Sequence, residues 1–380
     1  MFGTDRHHEG QTRANRARRR GRTRLVALLG SLAVVAAACS DTAIPQNSLD
    51  PASPQARDID ELWNLVFWIA VVIFVLVEAA LIFAVIRYRK RRRDPERPVK
   101  QVHGNTRLEI LWTIIPTIIL AIVAVPTLAT IFELREEPSP DENALEINVI
   151  GHQWWWEFEY PEYGFTTAQE MYVPTGRTIY LNLTSADVIH SFWTPRLQGK
   201  RDAVPGRVNN LTFLAEEEGE YLGQCAEFCG LAHADMRHVV VAVSPEEFDA
   251  WAEKHATPPE IPTEGPAAAG YETFQVVCTA CHVIDGAAGT PVDRTVPLED
   301  RTEWAYAPNL SYFGERQKFG GWSFDNDPNH LEAWLADPTL LKPMAPELND
   351  LDDGRILGMP NFGLDDTEIQ NLIALLEALR

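Results

Sequence analysis

GQCAEFCGLAHADM, residues 223–236, places two cysteines, a histidine and a methionine on one short stretch. Thiolate and thioether sulphur together with imidazole form a donor set suited to copper. Cys225 and Cys229 lie close enough in sequence for each to bridge two metal ions. Two other uses compete: a Cys225–Cys229 disulfide in an oxidising compartment, or a zinc site shared with histidines. The disulfide leaves His233 idle, and zinc leaves Met236 idle. A second histidine is needed from outside the stretch, and DVIHSFW (187–193) supplies His190.

Outward from this loop the pattern is short strands. EINVI (146–150), WWWEFEY (154–160), TIYLNLT (178–184), NNLTFLA (209–215) and HVVVAV (238–243) alternate or run apolar. Turn clusters at Pro161–Gly164, Pro174–Gly176, Pro205–Gly206 and Glu218–Gly219 separate them. That spacing predicts an all-β sandwich or small barrel over 145–245; a sandwich gathers its loops at one end, where His190 could meet the cysteine loop. A short helix over 246–254 and a Pro-rich linker complete 246–269.

A second cluster, CTACH (278–282), has the c-type haem attachment pattern, with Cys278 and Cys281 as thioether sites and His282 as the proximal iron ligand. Gly270, Phe274 and Cys278 share one face of a preceding helix. Ile369, Leu372, Ile373 and Leu376 form the apolar stripe of a last helix, with Asp365 or Asp366 as N-cap. The region 270–380 is therefore predicted to be an all-α domain. A sixth iron ligand of methionine type, which raises the potential, is expected at Met359 in LGMPNFG, with Met344 in KPMAP as runner-up.

The N-terminus is an export signal: clustered arginines up to Arg24, an apolar run Leu25–Ala38, then small residues. Its end, VVAAAC, places Cys39 where a bacterial lipoprotein signal is cut and lipidated; the plainer alternative is an ordinary signal with a cysteine beside it. Residues 39–61 then form an external linker. Two apolar segments, 62–86 and 110–132, each suffice to cross a bilayer. The basic loop between them, 87–107, places the connection on the cytoplasmic side, so both ends of the hairpin 62–132 lie outside. Glu78 lies within the first span, and Pro116 and Pro126 within the second. The formal charge of −21 is concentrated after residue 132. It argues against nucleic acid and for a basic partner, or simply for a solvated acidic surface.

The residues around both clusters resemble subunit II of the haem-copper cytochrome c oxidases. GHQWWWEFEY (151–160), VIHSFWTP (188–195), KRDAVPGR (200–207), LEILWTIIP (108–116) and the 223–236 loop carry the likeness. The C-terminal region resembles a fused class I cytochrome c, in APNLSYFGER (307–316) as well as in CTACH. The resemblance implies a multi-domain membrane protein: a two-helix transmembrane hairpin, a cupredoxin-like sandwich and a cytochrome c domain. It implies a dinuclear copper centre (CuA) bridged by Cys225 and Cys229. His190 and His233 are then terminal ligands, Met236 is a weak ligand, and the Glu227 carbonyl is its counterpart on the other copper. The Glu227 side chain would reach a magnesium site shared with subunit I. Trp154 would admit electrons to the copper, Pro308 would hold His282 through its carbonyl, and Glu109 would sit at a proton-channel mouth. Bland readings of the same residues are a core aromatic for Trp154, a helix-end carboxylate for Glu109 and a solvated carboxylate for Glu227.

The implied partners are subunits I and III of an oxidase in the bacterial plasma membrane, and cytochrome c or the cytochrome bc complex as donor. Rival functions are the electron-accepting subunit of a copper-containing nitric oxide reductase, a quinol-oxidising homologue, and a lipoprotein that stores or delivers copper. The quinol enzymes lack the copper ligands present here, and copper storage leaves CTACH and Glu109 unexplained.

Overall fold

The computed structural model describes residues 30, 46–89, 103–345 and 357–380. The chain divides into two compact units, 1–47 and 48–380, and the second carries everything that follows. Cys39, most of the signal segment and the centre of the basic loop lie outside the described residues.

Helix α1 spans Pro54–Tyr88 and α2 spans Thr106–Glu133. Both are apolar enough to cross a membrane and their apolar faces are exposed. α1 begins eight residues before the apolar segment. PQARDIDE is polar and shows no hydrophobic run, yet Ser53 caps the helix by accepting the Ala56 amide, and Pro54 occupies the first turn, where its missing N–H is harmless. This extra length meets the sandwich: Ala52 N–H donates to the Arg196 carbonyl at 2.7 Å, the Gln55 side chain accepts the Leu214 amide at 3.2 Å, and Arg57 pairs with Glu216. α2 carries Pro116 and Pro126 without a break. Glu109 lies in its first turn and accepts the Asn105 amide at 3.1 Å. Glu78 is exposed on α1.

Ten strands follow. β1 (Leu145–His152), β2 (Trp155–Tyr160), β3 (Phe165–Ala168), β5 (Thr178–Ser185) and β8 (Asn209–Leu214) form one sheet in the order β3-β2-β1-β5-β8. β4 (Glu170–Pro174), β6 (His190–Trp193), β7 (Arg201–Ala203), β9 (Gly219–Cys225) and β10 (Arg237–Val243) form the other, in the order β4-β10-β9-β6-β7. The β1/β5 and β4/β10 pairs are parallel and the other pairs antiparallel, which is a cupredoxin-like sandwich. Trp156, Phe158, Tyr160, Phe192, Leu181 and Val240 fill its core. His238 lies among them, stacked on Phe192 at 4.1 Å and hydrogen-bonded to Thr194. A Cβ on Gly223 would fall 2.0 Å from its Nε2, so glycine is what lets β9 lie flat over the imidazole.

Half of these strands are absent from the sequence-based reading. β3, β4, β6 and β7 have three to five residues each, too few to show a period. β9, GEYLGQC, is interrupted by two glycines.

Helix α3 (Pro245–His255) and helix α4 (Gly265–Val277) leave only nine residues between them outside a helix. The GPAAAG segment reads as linker by composition, but Pro266 sits in the first turn and the alanines propagate the helix. The C-terminal region departs from an all-α plan. Helices α4, α5 (Pro328–Ala336) and α6 (Asp366–Ala378) are joined by long irregular segments and a small ribbon, β11 (Lys318–Phe319) with β12 (Phe324–Asp325). The stretch 285–327 is dense in Pro, Gly and Asp and offers no helical period. α4 crosses α6 at Gly270, where a Cβ would fall 2.1 Å from the Asn371 carbonyl. This region also covers the outer face of β2. Glu159 there pairs with Arg301 at 2.6 Å, both buried, and Arg294 reaches Glu157 and Glu159. Every residue of β2 is consequently buried, which no alternating pattern foretells.

Burial pushes the His238 imidazole down to about 3 from an unfolded value of 6.5. Between those values the unfolded chain takes up a proton that the folded chain refuses. The contribution is therefore complete above pH 6.5 and lost as the pH falls toward 3. Burial pushes His255 down to about 4, adding to the same trend. His238→Leu is expected to flatten the acid limb of stability by about 1.4 kcal/mol per pH unit between roughly pH 6 and 4. Urea melts of the detergent-solubilised protein read this, and an unchanged slope would show that His238 is not held neutral.

Candidate metal centre

The copper-type donors converge between β6, β9 and β10. Cys225 ends β9 and its amide donates to the Met236 carbonyl at 2.9 Å, closing the loop 225–236 on itself. Within it Cys225 Sγ and Cys229 Sγ lie 3.8 Å apart. A disulfide needs about 2.05 Å, so these are two separate thiols. The spacing lets a metal ion with sulphur bonds of about 2.3 Å touch both. His190 Nδ1 is 3.9 Å from Cys225 Sγ, and His233 Nδ1 is 3.4 Å from Cys229 Sγ. Met236 Sδ is 3.8 Å from Cys229 Sγ, and the Glu227 carbonyl is 3.2 Å from Cys225 Sγ. The donors of His190, Cys225 and Cys229 lie within 4.8 Å of one another, all buried. Two bridging sulphurs, a histidine on each flank and a weak donor beyond each sulphur fit a pair of copper ions.

The Cys229 hydrogen bond pulls the Cys225 thiol down to about 4, and the Cys225 neighbour together with burial pushes Cys229 up. Asp187 supports the site from behind, its Oδ1 lying 2.8 Å from His190 Nε2 and its Oδ2 accepting the Gln153 amide at 2.7 Å. This leaves His190 Nδ1 bare toward the sulphurs. Burial opposes the Asp187 charge, yet the His190 contact holds its carboxyl below the usual range. Asp187 was not among the residues singled out from sequence; its place three before His190 was the available signal.

Trp154 is buried with its Nε1–H on the Cys229 carbonyl at 3.0 Å, and Gln153 Nε2 donates to the same oxygen at 2.6 Å. The Glu227 side chain and Phe228 are exposed on the rim.

A second cavity lies in the C-terminal region. Cys278, Cys281, His282, Met344 and Met359 line it, with Leu310, Phe313, Phe319 and Phe362 as apolar wall. His282 Nδ1 meets the Pro308 carbonyl at 2.8 Å, leaving Nε2 free for a metal. Met359 Sδ lies 3.2 Å from Trp334 Nε1. Burial pushes the Cys278 thiol up to about 12. The donors and apolar lining fit a covalently held haem. Gln153, Trp154 and Trp155 of the sandwich line the same cavity.

Two membrane helices carrying a cupredoxin-like sandwich with a paired-thiol metal site define a membrane-anchored copper electron-transfer protein. A family model described as the periplasmic domain of cytochrome c oxidase subunit II matches residues 164–243, and one for its transmembrane domain matches 42–130. Subunit 2 of cytochrome c oxidase from Alkalihalophilus pseudofirmus is 40% identical over 316 residues, covering 80% of this chain and 87% of the relative. The Bacillus subtilis subunit 2 is 36% identical, covering 84% and 90%. The periplasmic domain of subunit II from Bradyrhizobium japonicum, a crystal structure, is 36% identical and covers 31% of this chain and 95% of its own, with a TM-score of 0.30. The chain belongs to the cytochrome c oxidase subunit II family and is part of an oxidoreductase complex.

Asp187→Ala is expected to weaken copper binding by about 10- to 100-fold, the usual weight of a group that orients a ligating histidine. Competition against a chelator measures it; wild-type affinity would remove Asp187 from the site.

Proposed function

We propose that this subunit takes electrons in at its C-terminal domain and passes them through the copper domain to subunit I, where oxygen is reduced to water and protons are pumped. When bound, a haem on Cys278 and Cys281 and a copper pair on Cys225 and Cys229 supply one-electron carriers; the protein supplies their distance and orientation. His282, oriented by the Pro308 carbonyl, and Met359 would hold the haem iron. His190, His233, Met236 and the Glu227 carbonyl complete the copper set. The observation that carries this reading is the shared wall: Trp154 lines the C-terminal cavity while its indole bonds the carbonyl of Cys229. Alignment with the Alkalihalophilus and Bacillus relatives over 80% and more of the chain supports a C-terminal domain shared with them.

Other proposed roles sit on exposed groups. The Glu227 carboxylate contributes to a magnesium site with subunit I, Glu109 stands at a proton-channel mouth, and the acidic exterior receives a basic donor such as cytochrome c or the bc complex. Lipid on Cys39 would anchor the N-terminus outside the bacterial plasma membrane, and subunit III completes the complex.

The purified complex is expected to consume oxygen with reduced cytochrome c and to show a covalent c-type haem band. Cys278→Ser with Cys281→Ser should abolish the band while copper is retained. A wild-type chain without the band overturns the C-terminal assignment, and turnover of nitric oxide in place of oxygen overturns the oxidase reading.

Met359→Ala is expected to convert the haem to a high-spin spectrum and Met344→Ala to leave it low-spin. The reverse pattern would make Met344 the distal ligand.

A further inference from the structure

Lys342 is one of the most deeply enclosed cations in the described structure, 4% exposed. Its Nζ donates to three backbone carbonyls: Trp154 at 2.8 Å, Gly320 at 3.1 Å and Asp235 at 3.2 Å. A buried amine is costly unless its hydrogens are bonded. Two of its acceptors belong to the sandwich and one to the C-terminal region. Beside it the Arg237 amide donates to the Gly321 carbonyl at 3.0 Å, again across the two regions. Gly320 and Gly321 both take positive φ, +63° and +81°. A Cβ on Gly321 would fall 1.9 Å from the Asp235 carbonyl and 2.7 Å from Lys342 Nζ. The next residue, Trp322, packs on Val239 and Val241 of β10.

Met236 lies between the two gripped residues. The carbonyl of Asp235 before it is held by Lys342, and the amide of Arg237 after it is held by Gly321. Its own carbonyl receives the Cys225 amide. The weak donor of the copper set is therefore positioned by groups that the C-terminal domain provides.

We propose that Lys342 and the Gly320–Gly321 turn form a latch by which the C-terminal domain sets the position of Met236 and Trp154, making Lys342 a positioning residue for the copper centre. The latch rests on the copper assignment made above. It makes the C-terminal domain a structural part of the copper site as well as an electron donor held near it. Docking and copper geometry are then one state of the protein: loosening the latch moves the weak ligand, and moving the weak ligand loosens the dock.

The test uses the full chain with Lys342→Met and Gly321→Ala, and Lys254→Ala as control. Lys254 makes an exposed pair with Glu315 across the same two regions, away from the copper loop. Three readings are taken: amide hydrogen exchange at Arg237 in the copper-free chain, and the copper hyperfine pattern and the rate of haem-to-copper transfer in the loaded chain. Both latch variants are expected to speed Arg237 exchange by about tenfold or more, the weight of one or two lost hydrogen bonds. They should also shift the hyperfine pattern, and slow haem-to-copper transfer with copper and haem contents unchanged. Lys254→Ala should match wild type in all three. Wild-type exchange and hyperfine pattern in either latch variant overturn the proposal. So does loss of the C-terminal fold in Lys342→Met while Gly321→Ala keeps the native copper pattern, because Lys342 is then only a folding residue. A wild-type chain lacking the paired-copper signal overturns the copper assignment instead, and Arg237 exchange still reports on the latch.

Discussion

The hydrogen bond from the Cys225 amide to the Met236 carbonyl is the constraint on which the site depends. It continues the β9/β10 ladder by one step beyond the Gln224–Arg237 pair. Everything between the two residues must then turn back within a closed loop, so both cysteines, His233 and Met236 are brought to one place by strand register. Register in turn is fixed by burial, because slipping β10 by one residue would send Val240 and His238 out of the core. A metal site assembled this way needs little ordering when metal arrives.

The copper-type loop, the paired apolar helices and most long strands were legible in the sequence because each has its own local signal. Cysteine spacing, hydropathy and alternation do not depend on what packs nearby. The rest lacks such a signal. β2 is buried on both faces although its pattern, WWEFEY, reads as one-sided; Glu157 and Glu159 are buried because arginines more than a hundred residues later cover them. Lys342 looks like a surface lysine before a proline, and only three carbonyls from distant segments make it structural. Helix α4 was expected through Gly270, Phe274 and Cys278, but its first turn, 265–269, read as linker because Pro and Gly there signal a loop by composition and a helix start by position.

Burying Glu157, Glu159 and Arg301 between two regions, with Arg294 at the edge, gains little stability by itself, since desolvation offsets much of the attraction. What such pairs add is selectivity: a misplaced dock leaves uncompensated charge in a dry setting. An apolar interface of equal area would tolerate sliding, and with it a variable gap between Trp154 and the cavity around His282.

Helix α1 has 35 residues, roughly 50 Å at about 1.5 Å per residue, while the hydrocarbon layer is about 30 Å thick. The surplus is the polar first part, which Ser53, Gln55 and Arg57 fasten to the sandwich. The helix is thus a stilt of fixed length: it sets the height of the copper loop above the bilayer. Thickening or thinning of the membrane is met by tilting the whole assembly, not by stretching a hinge. A partner in the bilayer meets the copper rim at a constant elevation, as a bridge deck is met by a pier.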